Sequence, residues 1–185
     1  MMTFLLLLFM VNPFPWTLCL SEDSKALLIF KRNLTPDSQT LLSSWNASAQ
    51  SLCTWIGTGC DRFQRVTIVD LPSLDLDGTI HPNISTLGYL RRLDLKKNML
   101  KGNIPLSLDN LINLQQLLLE TNYLSGTIHA KLGNLTQLII MSLFITNFNS
   151  SIPSQLKKCQ NLSLIDLGNN FIESIPPKFG DMQSL

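Results

Sequence analysis

LGYLRRLDLKKNMLKGNIPLSLDN, the stretch from Leu87 to Asn110, decides how this chain folds. It fits the 24-residue template L-x-x-L-x-x-L-x-L-x-x-N-x-L-x-G-x-I-P-x-x-L-x-x, and four other stretches follow the same template without intervening loops. The five copies cover residues 63–86, 87–110, 111–134, 135–158 and 159–181. Residues 182–185 begin a sixth copy that stops at its second leucine. A fixed period of this length is typical of stacked units that bury their apolar faces against one another.

The spacing of the leucines is that of a leucine-rich repeat, and the fold class it predicts is an α/β solenoid. Each copy predicts a short strand at template positions 6 to 10, with positions 7 and 9 in the core and positions 6, 8 and 10 facing outward. Parallel strands would then line a concave face, opposite a convex side of short 3₁₀ or irregular segments. A solenoid of this kind offers an extended binding surface more readily than an enclosed pocket.

The template Asn predicts a structural ladder, because a buried amide must find hydrogen-bond partners in the backbone of adjacent turns. It is present at Asn98, Asn122 and Asn170. The fourth copy is degenerate, with Thr146 in place of this Asn and Ser150 in place of the template Gly. We therefore expect local slack in the fourth repeat.

The residues before the repeats predict a leader and a cap. The apolar run from Phe4 to Val11 is too short to span a bilayer and predicts a secretory signal peptide over residues 1–19, with an uncleaved anchor as the alternative. Residues 20–62 are predicted to cap the solenoid, beginning with a helix that starts at Ser21 and ends near Asn33. In an exported chain Cys53 and Cys60, which enclose a short loop, should form a disulfide. The remaining Cys159 occupies a template Leu position and is interpreted as a buried free thiol.

Composition and motifs argue against several function classes. A net charge of +1 with 15% charged residues gives no reason to expect nucleic acid as a partner. The sequence offers no metal-ligand spacing, no phosphate-cradling loop and no catalytic constellation, so we predict no cofactor, no metal and no enzymatic activity. Six N-x-[ST] sequons fit an exported glycoprotein, and none lies at an outward strand position. The predicted glycosylation sites are Asn33, Asn46, Asn83, Asn134, Asn149 and Asn161.

The cap carries a more specific pattern: A-L-L-x-F-K from Ala26, S-W-N from Ser44, C-x-W-x-G-x-x-C from Cys53 to Cys60, and R-V at Arg65. This pattern resembles the N-terminal cap of plant leucine-rich-repeat receptor ectodomains, and the L-x-G-x-I-P segment is similar to the plant-specific repeat class. The phrases LRRLDL (90–95) and GNL (133–135) look most like the subfamily that contains the immune receptors for bacterial patterns.

The resemblance implies a module, secreted or on the extracellular face of the plasma membrane, that recognises a peptide or protein ligand and can recruit a coreceptor ectodomain. In a parent receptor a kinase would lie inside the cell. Because the repeats stop without a terminal cap, we expect the chain to be the N-terminal piece of a longer receptor or a truncated product. It would then reach a membrane only through a missing C-terminal segment or an uncleaved signal. Two alternatives are a short coreceptor-type ectodomain and a secreted inhibitor of pathogen polygalacturonase-like hydrolases.

The predicted binding surface is the concave face. Its outward candidates are Arg92, Asp94, Lys96, Gln116, Leu118, Glu120, Ile140, Phe144, Leu164 and Asp166. Leu118, Ile140, Phe144 and Leu164 are predicted to form a solvent-facing apolar patch, which is often an interaction site but can also be tolerated in a degenerate repeat. Arg91, Arg92, Lys96 and Lys97 form a basic band around Asp94, for which a solvated surface is the alternative.

Overall fold

The computed structural model describes residues 21–49 and 51–176. The predicted signal peptide (1–19), the last residues of the fifth copy (177–181) and the start of the sixth (182–185) lie outside the described residues.

The cap begins with two helices whose ends are set by local sequence. Helix α1 (Glu22–Arg32) starts where the Ser21 hydroxyl accepts a hydrogen bond from the Ser24 N–H. Acidic residues in its first turn and basic residues in its last complement the helix dipole. Helix α2 (Pro36–Leu41) starts at a proline. Proline is tolerated there because the N–H groups of the first turn have no acceptor within the helix, so the N–H that proline lacks is not needed. The predicted start and end of the first helix are confirmed.

Three aromatic rings form the centre of the cap. The centroid of the buried Trp45 ring lies 6.2 Å from that of Phe30 and 5.8 Å from that of Trp55. The disulfide predicted between Cys53 and Cys60 is present, with its Cα atoms 5.6 Å apart. It closes the segment that runs from a 3₁₀ turn at Leu52–Thr54 into the first strand. The buried residues of the cap join those of the repeats in one hydrophobic core, so the cap covers the first apolar surface of the solenoid.

The concave side is a six-stranded sheet in which the cap supplies the first strand. In spatial order its strands are β1 (Thr58–Cys60), β2 (Val66–Asp70), β4 (Arg92–Asp94), β6 (Gln116–Leu118), β8 (Ile140–Ser142) and β10 (Leu164–Asp166). β1 pairs with β2 in the antiparallel sense, and every later pair is parallel. From β4 onward the strands are shorter than predicted, ending at template position 8. At position 11 the chain turns through left-handed residues such as Lys97, with a φ of 54°.

A second, parallel sheet, which the repeat pattern did not predict, follows the template Asn. Its strands are β3 (Asp77–Thr79), β5 (Met99–Gly102), β7 (Tyr123–Gly126) and β9 (Asn147–Phe148). The convex side consists of short 3₁₀ helices, as predicted. They span Pro82–Thr86, Leu106–Asn110, Ala130–Asn134 and Ser154–Lys158. Each of the first four repeats thus forms two strands and one 3₁₀ turn around a buried apolar interior.

The predicted asparagine ladder is confirmed where the template Asn is intact. The Asn98 Oδ1 accepts from the Leu76 N–H at 3.0 Å, and its Nδ2 donates to the carbonyls of Leu71 and Leu95, both at 2.9 Å. Asn122 makes the equivalent bonds one repeat later. Each amide therefore links its own repeat to the preceding one while it satisfies buried backbone groups.

The fourth repeat interrupts this ladder. Thr146 donates to the Leu143 carbonyl at 2.8 Å and contacts the Asn170 Oδ1 at 2.6 Å. Among the described residues its hydroxyl makes no bond to the third repeat of the kind that Asn122 makes to the second. The link between the third and fourth repeats therefore lacks these amide bonds. Local slack in the fourth repeat stays a prediction.

The core is filled by the template leucines and by Cys159, which is fully buried with a free thiol, as predicted. Burial raises the pKa of this thiol to about 11. A cysteine of this kind acts as a small apolar side chain rather than as a reactive group.

Candidate binding face

The concave face consists of three rows of side chains that run across the strands. The first row is Ile68, Arg92, Gln116, Ile140 and Leu164; the middle row is Asp70, Asp94, Leu118, Ser142 and Asp166; the last row is Pro72, Lys96, Glu120, Phe144 and Gly168. Backbone hydrogen bonds join neighbouring repeats along the last row, for example from the Thr121 N–H to the Phe144 carbonyl at 2.8 Å. The parallel register therefore brings the predicted binding residues together on one surface.

The half of this face formed by the first three repeats, here called the charged half, is held by Arg92. Its guanidinium donates to the Asp94 carboxylate at 2.5 Å, donates to the Gln116 side-chain oxygen, and lies 3.7 Å from the Asp70 carboxylate. The Lys96 ammonium lies 3.5 Å from Asp94, whose other oxygen accepts the Lys96 backbone N–H at 3.2 Å. One arginine thus connects three strands, and much of the charge in this half is neutralised within the chain.

Two residues of the middle row were predicted to face solvent and do not. Asp94 is 0% exposed and Leu118 is 8% exposed, so the predicted exposure is wrong for both. Ser142, the next residue in the row, is also buried. In the charged half Arg92 and Lys96 reach Asp94 from the rows on either side of it. The apolar patch consequently loses Leu118.

The half of the face formed by the fourth and fifth repeats, here called the apolar half, contains Ile140, Phe144, Leu164 and Asp166. Leu164 is 50% exposed and pairs in register with the half-buried Ile140. The ring of Phe144 lies over Gly168, where an added Cβ would be 3.1 Å from the ring Cδ2. Because Gly168 has no side chain, the ring can approach the backbone of the fifth repeat.

Ile145 extends the apolar half and was missed from the sequence. Its backbone has a φ of 50°, a left-handed conformation that is unfavourable for a β-branched residue, and its side chain is 43% exposed. Lys97, Thr121 and Asn169 take the same conformation in their own repeats. An aliphatic residue at this template position, where the other repeats have polar ones, is the sequence signal that could have revealed it.

Asp166 is the one charged residue of the apolar half. One of its oxygens accepts the backbone N–H of Gly168 at 3.1 Å. Within the part of the chain that the structure describes, no lysine, arginine or histidine forms an ion pair with it. Its surroundings differ in this respect from those of Asp94.

The sequons lie away from these rows. Asn33, Asn46, Asn134, Asn149 and Asn161 are exposed and Asn83 is half-buried. Across residues 21–49 and 51–176 there is no group of three or more histidine, cysteine, aspartate or glutamate side chains that could hold a metal ion. The helices of the same residues are too short to cross a bilayer. Glycosylation at the six asparagines stays a prediction.

Two family models match the chain. Residues 20–61 match the leucine rich repeat N-terminal domain, and residues 89–111 match the leucine rich repeat. A probable inactive leucine-rich repeat receptor-like protein kinase of Arabidopsis thaliana is 33% identical over 96 residues, which cover 51% of this chain and 14% of that protein. This chain therefore spans a small part of the length of that curated relative.

Solved structures of similar shape cover more of the chain. A chain in the BIR3–SERK2 complex of Arabidopsis thaliana is 31% identical with a TM-score of 0.77, over 84% of this chain and 86% of that one. The leucine-rich-repeat ectodomain of the Arabidopsis receptor kinase HAESA, solved with an IDA peptide hormone lengthened at its N-terminus, is 30% identical with a TM-score of 0.67. That match covers 89% of this chain and 32% of HAESA. By its cap, its repeats and these similarities, the chain belongs to the extracellular leucine-rich-repeat domains of plant receptors.

Proposed function

We propose that this chain is an extracellular recognition module that binds a peptide or protein segment on its concave face and catalyses no reaction itself. The observation that carries the proposal is the apolar half, where Ile140, Phe144 and Leu164 face outward from a regular sheet. Apolar side chains that converge on a concave surface gain free energy when a partner removes them from water. The predicted glycans, which are bulky, would lie on other surfaces and leave this face accessible.

The comparisons support both a peptide and a protein as partner. HAESA was solved with a peptide hormone, and BIR3 was solved with SERK2. An open sheet of parallel strands suits an extended segment, because such a segment can present alternate side chains to the rows of the concave face. The coreceptor-type function is the second candidate. It is favoured by the similar size of the matched chain in the BIR3–SERK2 complex, of which this chain covers 86%.

The test compares two exposed apolar surfaces of the same molecule. The secreted chain is used to select binders from a phage-displayed library of short random peptides, and the ectodomain of SERK2 is measured in parallel as a protein probe. A variant with Ile140, Phe144 and Leu164 changed to Ser removes the apolar half. A matched variant with Met99, Tyr123 and Phe171 changed to Ser removes exposed apolar side chains at template position 13, away from the concave rows.

We expect selected peptides to lose affinity by about tenfold or more in the concave variant, since burying three apolar side chains is worth several kcal/mol. The matched variant should bind as the unmodified chain does. Thermal unfolding of both variants verifies that they fold. If neither peptides nor SERK2 distinguish the two variants, the concave face is not the binding surface and the proposal fails.

A further inference from the structure

Three carboxylates occupy the middle row of the concave face, and they differ in how their charge is balanced. Asp94 is paired with Arg92 and with Lys96, and Asp70 lies 3.7 Å from the same arginine. Asp166, in the same row of the fifth repeat, has no ion pair among the described residues. The chain thus supplies cations to two of these carboxylates, whereas the third has none in a partly apolar setting.

The carboxylate of Asp166 and the ring of Phe144 adjoin the same small space. A Cβ built on Gly168 would be 3.4 Å from the Asp166 Oδ1 and 3.1 Å from the Phe144 Cδ2. A cation placed beside Asp166 would therefore also approach the aromatic ring, which attracts a guanidinium through its electron-rich face. An arginine can combine both contacts, because its planar group stacks on rings and bonds carboxylates.

The spacing along β10 adds a second requirement. Leu164 and Asp166 are two residues apart on one strand, so their side chains emerge on the same side, about 7 Å apart. An extended ligand has the same period, with alternate side chains on one face. An apolar residue seated on Ile140 and Leu164 would place the residue two positions away next to Asp166.

We propose that the apolar half binds an extended peptide segment in which an apolar residue and an arginine are two positions apart, the arginine pairing with Asp166. This inference rests on the proposed function and adds the chemistry of the partner to it. An acidic residue in place of the arginine is disfavoured, because it would put a second carboxylate beside Asp166. Lysine is accepted less well than arginine, because its ammonium cannot form two parallel bonds to a carboxylate.

The experiment uses two peptide pools that differ at one position, with Leu-x-Arg or Leu-x-Glu fixed in otherwise random sequence. The unmodified chain should select binders from the arginine pool and few from the glutamate pool. Asp166→Asn keeps the oxygen that accepts the Gly168 N–H, and it should weaken the selected arginine peptides about fivefold. Glu173→Gln removes an exposed carboxylate from the same repeat and should leave their affinity unchanged. Asp166→Arg should shift the selection toward the glutamate pool.

Two results separate the failure of this inference from the failure of the proposed function. If peptides depend on Ile140, Phe144 and Leu164 but show no preference for arginine and no response to Asp166→Asn, the concave site stands and the inference is overturned. If no peptide depends on these three residues, both the inference and the proposed function fail. A dimer of the chain formed through this face, measured by light scattering and lost in Asp166→Asn, would also overturn the inference.

Discussion

The second and third repeats and the fourth and fifth repeats use one scaffold but leave different surfaces. In the second and third repeats Asn98 and Asn122 complete the ladder, and Arg92 balances the carboxylates beside it. In the fourth and fifth repeats Thr146 interrupts the ladder, and Asp166 lies among outward apolar side chains without an internal cation among the described residues. In the charged half, Arg92 and Lys96 balance the carboxylates of Asp70 and Asp94, although the buried Glu120 Oε2 has no hydrogen-bond partner among the described residues. In the apolar half, Asp166 has no ion pair among the same residues, so its charge is available to a partner.

The largest difference should appear in the ladder. Asn122→Ala removes three hydrogen bonds to buried backbone groups and should lower the free energy of unfolding by about 3 kcal/mol. Asn170→Ala should cost about 1.5 kcal/mol, because the half-buried Asn170 site allows water to replace part of what is lost. Urea unfolding followed by circular dichroism measures both values. Equal losses would show that the two ends of the ladder are equally important.

Removing the buried negative charge of Asp94 should have the next largest effect. Asp94→Asn leaves Arg92 without its closest carboxylate and should destabilise the chain by about 2 kcal/mol, less than a fully buried pair because the arginine is partly exposed. Asp70→Asn is the matched control and should cost no more than about 0.5 kcal/mol, since Asp70 is exposed to water and more distant. Thermal melting at constant ionic strength compares them. An unchanged melting temperature for Asp94→Asn would refute the role given to the charged half.

Repairing the ladder should stabilise the fourth repeat. Thr146→Asn restores the amide and should raise the free energy of unfolding by about 1 kcal/mol. Hydrogen exchange should show faster exchange in the fourth repeat than in the third in the unmodified chain, and the difference should shrink in the variant. Thr146→Val keeps the shape but removes the hydroxyl, and it should destabilise the chain. If the Thr146→Asn variant is no more stable than the unmodified chain, the missing amide at position 146 does not weaken the fourth repeat.

A small change at Gly168 should alter binding more than stability. In Gly168→Ala the new methyl group meets the Phe144 ring, which must move by a few tenths of an ångström. The cost in stability should stay below about 1 kcal/mol, because the ring is free to move toward solvent. Affinity for peptides selected on the apolar half should fall. Gly88→Ala meets no atom within 4 Å and is the control. Identical binding by the two variants would show that the ring position is unimportant.

The smallest effect concerns Cys159, which takes the place of a leucine at the start of the fifth repeat. Its pKa of about 11 lies above that of an ordinary thiol, so at pH 8 only about a thousandth is thiolate. Iodoacetamide should therefore modify Cys159 slowly in the native chain and rapidly in urea, with the native rate rising toward pH 11. Mass spectrometry of the peptide containing Cys159 measures both rates. Rapid native labelling at pH 8 would mean that the core of the fifth repeat opens more readily than its burial indicates.

Periodic features were predictable, because their causes lie within one repeat or in contacts between identical positions. A spacing that recurs in several repeats predicts the buried leucines, the roles of Asn98 and Asn122, and the 3₁₀ turns. The helix at Ser21 and the bridge between Cys53 and Cys60 follow from local signals. The second sheet, with strands such as Met99–Gly102 and Tyr123–Gly126, was missed because each of these strands buries a single template leucine and ends at the template Gly, a residue that is depleted in strands.

The sequence by itself determined the scaffold of this protein: a capped solenoid with a concave face and the list of residues able to line it. Only the tertiary structure decided which of those residues a partner can reach. Asp94 and Leu118 satisfy the same outward pattern as Asp166 and Leu164, yet they are buried. Arg92 and Lys96 of its own repeat cover Asp94, and Arg92 also reaches Asp70 and Gln116 on the two neighbouring strands. Charge balance therefore depends on side chains of different repeats, which lie far apart in the sequence and are brought together by the stacking of the repeats.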